Sequence, residues 1–190
     1  MRIACVGSRE LSAAGTEICV ELGKWIVECG HHVYSGNALG ADAAFARGGN
    51  RVDPWKVHLM LPWHSYNRAQ IVDRNQVFTV DKLPMEAQRY YEDLGRQYHP
   101  RYSMLSGGAQ KLHLRNGMIL LPGMMLEKPL SPYKVDLCLA WPKEGPSLGG
   151  TGQAIRIAQG ESIPYVWLNK LDRKELAQLC DRIAEQRVSL

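Results

Sequence analysis

The sequence predicts an α/β fold, a doubly wound parallel sheet of about five or more strands, in one domain spanning residues 1–190. Three observations predict it. Short apolar runs alternate with stretches of helical periodicity. Glycine-rich turns stand where strands hand over to helices, as parallel βα units require. Between the third and fourth of the five apolar runs the alternation lapses, which reads as a helical insertion over about residues 62–122.

Each element follows from local pattern. Arg2-Ile3-Ala4-Cys5-Val6 is a buried strand feeding the turn Gly7-Ser8-Arg9. Over residues 13–29, Ile18, Val20, Leu22, Trp25, Ile26 and Val27 recur at roughly helical spacing, and Gly30 stops the segment. His32-Val33-Tyr34 is the second strand, and residues 41–47 read as a helix closed by Gly48-Gly49. Val57–Leu61 is the third strand, ending at Pro62-Trp63. Residues 63–100 are rich in Tyr, Arg, Gln and Asn, with a helix over Met85–Tyr98 ended by His99-Pro100; another helix spans residues 106–121. A fourth strand over residues 135–141 then leads through a loop (142–148) into a helix over 149–159. A fifth strand over 164–168 and a helix over 172–186 close the chain.

The chain carries 23 Lys+Arg against 19 Asp+Glu, a formal net charge of +4, and 45% hydrophobic residues. That apolar content excludes disorder. No apolar run approaches the roughly 18 residues that span a bilayer, and the start lacks a signal-peptide pattern, so the expected compartment is the cytoplasm. Cys5, Cys19, Cys29, Cys138 and Cys180 show no CxxC spacing and read as small hydrophobes in a reducing compartment. The six histidines show neither HxxxH nor HxH spacing, so neither a metal site nor a cofactor is expected. Between Leu94 and Leu126 there is no Asp or Glu, while Arg96, Arg101, Lys111 and Arg115 lie there. That stretch either presents positive potential to an anion or is a set of solvated charges.

Ligands of open parallel sheets bind beyond the carboxyl ends of the strands. Three segments lie at that edge: Gly7-Ser8-Arg9 after strand one, Ser35-Gly36-Asn37-Ala38-Leu39-Gly40-Ala41-Asp42 after strand two, and Leu148-Gly149-Gly150-Thr151-Gly152-Gln153 after strand four. Each offers backbone N–H groups unobstructed by bulky side chains and opens a helix whose positive end favours an anion. One phosphate-binding cleft is therefore expected, lined by Gly7, Ser8, Gly36, Gly40, Gly149, Gly150 and Thr151, with Arg9, Ser35, Asn37, Asp42 and Gly152 beside them. None of the turns matches GxGxxG or GxxxxGK[ST], which argues against a dinucleotide dehydrogenase or a P-loop NTPase. Plainer readings stand beside these. Ser8 reads equally as an N-cap and Asp42 as a first-turn acid. Trp55, Trp63, Tyr66 and Tyr98 read as core or interface aromatics before base-stacking ones.

Val6-Gly7-Ser8-Arg9, the Ser35–Asp42 run and Gly149-Gly150-Thr151-Gly152 together resemble the SLOG superfamily of Rossmann-like nucleotide-binding domains. That superfamily includes the LONELY GUY phosphoribohydrolases and the DNA-processing protein A family; the chain also resembles its small phage-borne members. The Ser35–Asp42 run resembles the Ser-Gly-x-Ala-x-Gly-Ile-Asp motif of the DNA-processing proteins, and Arg115-Asn116 their downstream Arg-Asn element. Leu112-His113-Leu114-Arg115-Asn116 is also similar to the Met-His-x-Arg-Lys element of LONELY GUY proteins, and Gly149–Gln153 to the start of their Pro-Gly-Gly-x-Gly-Thr-x-x-Glu motif. The resemblance implies a nucleotide or nucleotide-derived ligand, with Arg115 and Asn116 added to the site and Arg115 contacting phosphate from a solvent-facing position, so that its removal spares the fold. It also implies a homodimer.

The chain departs from that pattern where catalysis is concerned. Arg156 aligns with the glutamate that assists cleavage of the N-glycosidic bond, and Leu148 and Gln153 replace the motif's proline and second threonine. An arginine can neither activate water nor stabilise an oxocarbenium-like centre. A hydrolase would need Asp42 or Asp136 instead, so the catalytic candidates are Asp42, Asp136 and Arg115. The leading expectation is a non-catalytic sensor or sequestering protein. A nucleoside 5′-monophosphate phosphoribohydrolase is the first alternative. The second is a single-stranded nucleic-acid binder using residues 96–115 with Tyr98 and Tyr102.

Overall fold

A computed structural model describes residues 1–123, 133–143 and 149–186. The strands are β1 (Arg2–Gly7), β2 (His32–Ser35), β3 (Val57–Leu61), β4 (Gln76–Thr79), β5 (Leu137–Trp141) and β6 (Tyr165–Trp167). They form one sheet in the order β4-β3-β2-β1-β5-β6, and every neighbouring pair is parallel. The helices among the described residues are α1 (Ala13–Glu28), α2 (Ala41–Asn50), α3 (Met85–Tyr98), α4 (Gly107–Leu120), α5 (Gly149–Gly160) and α6 (Arg173–Glu185).

The period-2 alternation of the strands sorts the core into two layers. In β1, Ile3 and Cys5 face one way and pack with Cys19, Ile26 and Phe45 of α1 and α2 and with Leu179 and Ile183 of α6. Ala4 and Val6 face the other way, towards Tyr91 of α3, Met118 of α4 and Ile155 of α5. Helices thus cover both faces, as the sequence expects of a doubly wound sheet. The cysteines fit that packing. Cys5, Cys19, Cys29 and Cys138 are buried as free thiols, and burial pushes the Cys19 and Cys138 thiols up to about 12.

Two elements differ from the sequence reading. The stretch read as a helical insertion also carries β4, which extends the sheet through the register His58↔Gln76 to Leu61↔Thr79. An edge strand has a single neighbour and a partly solvated face, so Val77-Phe78 is all the apolar signal it shows. The second helix, read as closing at Gly48-Gly49, runs on to Asn50. A Cβ on Gly48 would lie 1.9 Å from the Val20 carbonyl oxygen of α1, so this glycine permits helix crossing and does not mark a stop. Smaller shifts are one of register (β5 begins at Leu137, not 135) and one of burial, since edge strand β6 is half-buried throughout.

Candidate functional site

Chain order along the sheet reverses between β1 and β5, whose carboxyl ends pair as Gly7↔Trp141. At such a switch point the two following loops diverge to opposite faces and leave a crevice. A cleft of about 350 Å³ lies there. The turn after β1 supplies Gly7, Ser8 and Arg9; the turn between β2 and α2 supplies Ala38 and the first turn of α2 Asp42; α4 supplies Leu112, His113, Arg115 and Asn116; the residues just after β5 supply Pro142 and Lys143; and the first turn of α5 supplies Gly150, Thr151 and Gly152.

The floor is a buried ion pair. Arg115 Nη1 donates to Asp42 Oδ2 at 3.0 Å, and Asp42 Oδ1 accepts the Gly7 N–H at 3.0 Å. Burial pushes the Asp42 carboxyl above the usual carboxylate range, against the pull of Arg115 and the Gly7 amide. Arg115 is only 7% exposed, and its Nε is buried without a partner. This corrects the expectation of a solvent-facing arginine that supports little of the fold: its charge is the counter-ion of a buried carboxylate.

The remaining residues of the glycine turns divide between lining and support. A Cβ on Gly36 would lie 1.0 Å from Arg115 Nη1, so Gly36 makes the room in which the guanidinium sits without itself lining the cleft. Ser35 donates from Oγ to the Cys5 carbonyl, joining β2 to β1. Gly40 packs under Ser8 and Arg9, and the Ala41 N–H donates to the Ser8 carbonyl at 3.0 Å. Asn37 turns away: its Nδ2 donates to the Tyr66 and Asn67 carbonyls, and with Gly40 it lines a separate groove beside α2. Gly149, at φ +76°, begins α5 beside the cleft, and Leu148 lies outside the described residues. Ser8 Oγ accepts the Glu10 N–H at 3.0 Å and closes the turn, but Ser8 is not the helix N-cap of the plainer reading: α1 begins only at Ala13, and Ser12 caps it.

A second hydrogen-bonded group walls the α4–α5 side. Asn116 Nδ2 donates both to the Gly150 carbonyl at 3.0 Å and to Gln153 Oε1 at 2.9 Å, and His113 Nδ1 meets the same Oε1 at 2.8 Å. Gln153 is fully buried. The His113 ring packs against His99, with centroids 4.3 Å apart. His113 and Gln153 were absent from the sequence-derived site. The signal was in the chain, since His113 and Asn116 stand three apart on one helix face, but nothing local joins that face to Gln153.

Two catalytic expectations are corrected. Asp136 stands at the opposite edge of the sheet: its carboxylate accepts the Arg2 N–H at 2.6 Å, and its own N–H donates to the Arg2 carbonyl, just before β5 begins. Arg156 does not line the cleft; its Nε donates at 2.8 Å to the Tyr98 carbonyl at the end of α3. The acid-free stretch is largely neutralised by acids from elsewhere. Arg96 pairs with Glu92 and Asp93, Lys111 with Asp81, and Arg115 with Asp42. Tyr102 is buried, and the Tyr98 hydroxyl donates to Glu161. Among the described residues no cluster of His, Cys, Asp or Glu could hold a metal ion, and no helix is long and apolar enough to cross a membrane.

Fold and cleft together define a doubly wound α/β protein with a crevice at its switch point. No protein-family model, curated protein or solved structure matches the chain.

Proposed function

We propose that the protein binds a nucleotide or a nucleotide-derived phosphate ester in the switch-point cleft and retains it unchanged, as a sensor or sequestering protein of the SLOG type. The observation that carries this reading is the convergence of three anion-attracting features on one small crevice. These are the Arg9 side chain in the turn after β1, the first turn of α5 with Gly150, Thr151 and Gly152, and the guanidinium of Arg115, whose Nη1 is held by Asp42. The Gly7 and Ser8 N–H groups of the turn after β1 are already engaged, by Asp42 and the Trp141 carbonyl. A volume of about 350 Å³ is at the small end of ligand pockets. Retention without turnover is supported by the state of the cleft's carboxylates among the described residues. Both Asp42 oxygens are engaged, and Glu10 is exposed and paired with Lys143 at 2.7 Å. A glycosidic cleavage needs a carboxylate or its equivalent at the reacting carbon.

The test is calorimetric titration of the purified protein with nucleoside monophosphates and orthophosphate, run beside chromatographic detection of released base. Binding is expected, weakened about tenfold in Arg9→Ala through loss of a charge-assisted contact worth about 1.5 kcal/mol, with no base released. Absence of binding across the panel refutes the ligand class. Base release that disappears in Asp42→Asn establishes the phosphoribohydrolase instead. Affinity confined to oligonucleotides and falling steeply with salt selects the nucleic-acid binder.

A further inference from the structure

The wall formed by α4 and α5 carries information about the ligand beyond its phosphate. The Gly150 carbonyl can only accept, so the side-chain atom of Asn116 that meets it at 3.0 Å must be the amide nitrogen. That nitrogen then donates its second hydrogen to Gln153, whose facing atom must be Oε1. An oxygen in that position can only accept, so His113 Nδ1, at 2.8 Å from it, must carry a proton. A backbone carbonyl thus determines, through two buried amides, which ring nitrogen of a histidine is protonated. The arrangement leaves Gln153 Nε2 buried with no partner, so the amide's orientation serves the relay and not its own satisfaction. The second ring nitrogen, Nε2, has no protein hydrogen-bond partner among the described residues, and His113 lines the cleft.

The geometry points to His113 as the specificity-determining residue of the cleft: in its Nδ1–H form it offers Nε2 as an acceptor to a hydroxyl on the sugar next to the bound phosphate. The inference rests on the phosphate reading of the α5 turn. The relay is anchored on Gly150, within that turn, so the imidazole stands beside the anion subsite and meets the group bonded directly to phosphate. In a nucleotide that group is ribose, and the base lies further off. Asn116 and Gln153 are positioning residues that act through the ring. Burial disfavours a second proton on the imidazole, and the ionisable groups around it, His99, Arg115 and Arg156, act in the same direction; the hydrogen bond to Gln153 opposes them without reversing the direction. A neutral ring with a free lone pair selects a donor, whereas a deoxygenated sugar leaves that lone pair unpaired.

Two measurements test this, and the first needs no ligand. Long-range proton–nitrogen correlation spectra of labelled protein are expected to show His113 as the Nδ1–H tautomer. In Gln153→Met, where the acceptor is gone, the more common Nε2–H tautomer is expected to appear. An Nε2–H ring in the unaltered protein overturns the relay. The second measurement is the ratio of affinities for adenosine 5′-monophosphate and its 2′,3′-dideoxy analogue. The unaltered protein is expected to favour the ribonucleotide about tenfold, and His113→Phe to reduce that ratio to near one. Equal affinity of the unaltered protein for the two, or a preference that survives His113→Phe, overturns the proposal while leaving phosphate binding intact. Failure of both nucleotides and of orthophosphate to bind refutes the phosphate reading on which the proposal rests.

Discussion

At the scale of single residues, the Asp42–Arg115 pair carries the largest consequence. A buried ion pair contributes little net stability, but removing one partner strands the other's charge in a low-dielectric site. Arg115→Ala is therefore expected to lower unfolding stability by about 3 kcal/mol, read from urea denaturation. Adding Asp42→Asn should recover part of that loss, because the amide oxygen still accepts the Gly7 N–H while the stranded charge is gone. Gly36→Ala should behave like Arg115→Ala, since its methyl group would occupy the guanidinium's place. An unchanged urea midpoint in Arg115→Ala would show that the pair is not coupled in the folded state.

At the scale of elements, α1, α4 and α6 begin where a capping side chain says they should. Ser12 accepts from the Gly15 N–H and opens α1, and Ser106 does the same for α4 through the Ala109 N–H. α6 carries a full capping box: Asp172 accepts the Glu175 N–H at 2.8 Å, and the Glu175 carboxylate accepts the Asp172 N–H at 2.9 Å. Both residues are exposed, so Asp172→Ala tests the cap with little confounding by packing. The expected loss is about 1 kcal/mol in urea denaturation. A loss below a few tenths would mean that docking of Leu179 and Ile183 against the sheet holds α6 by itself.

At the scale of the whole molecule, acid should weaken the fold through histidines at the amino-terminal edge of the sheet, remote from the cleft. His58 on β3 stacks on Tyr34 of β2, with centroids 4.3 Å apart and planes 2° from parallel, and lies 6.5 Å from Phe78 of β4. Its Nε2 meets His32 Nδ1 at 2.9 Å, and its Nδ1 is buried without a partner. Burial, with His32 adding to it, lowers the His58 imidazole from the usual 6.5 to about 4. A group lowered in this way takes up its proton more readily in the unfolded chain. Its contribution is therefore whole above about pH 6.5 and is lost as pH falls towards 4. His32 is lowered too and adds to the loss, whereas Asp42, raised by burial, works in the opposite direction. Stability is expected to fall by about 1–2 kcal/mol between pH 7 and pH 5, and His58→Phe to flatten that slope. A slope unaffected by His58→Phe would place the acid sensitivity elsewhere.

How much was legible in the chain differs between fold and site. The alternation of apolar runs with helical periodicity was enough for the parallel sheet, because each strand and helix must show the period of the face it buries, whatever its neighbours. The strand-to-helix turns were legible for the same reason, and they identified the edge on which the cleft opens. β4 was not, because an edge strand with one neighbour needs too few apolar residues to announce itself. At the site, local sequence could not separate residues that line the cleft from those that support it. Gly36 makes room for an arginine 79 positions away, Asn37 turns towards residues 66 and 67, and Asp136 falls at the opposite edge of the sheet. Nor could it show that Arg115 is buried against Asp42, or that the Gly150 carbonyl dictates the proton of His113. Periodicity is a property of neighbours along the chain and survives in the sequence. Partnership between residues distant in the chain is a property of how helices cross the sheet, and only the folded molecule decides it.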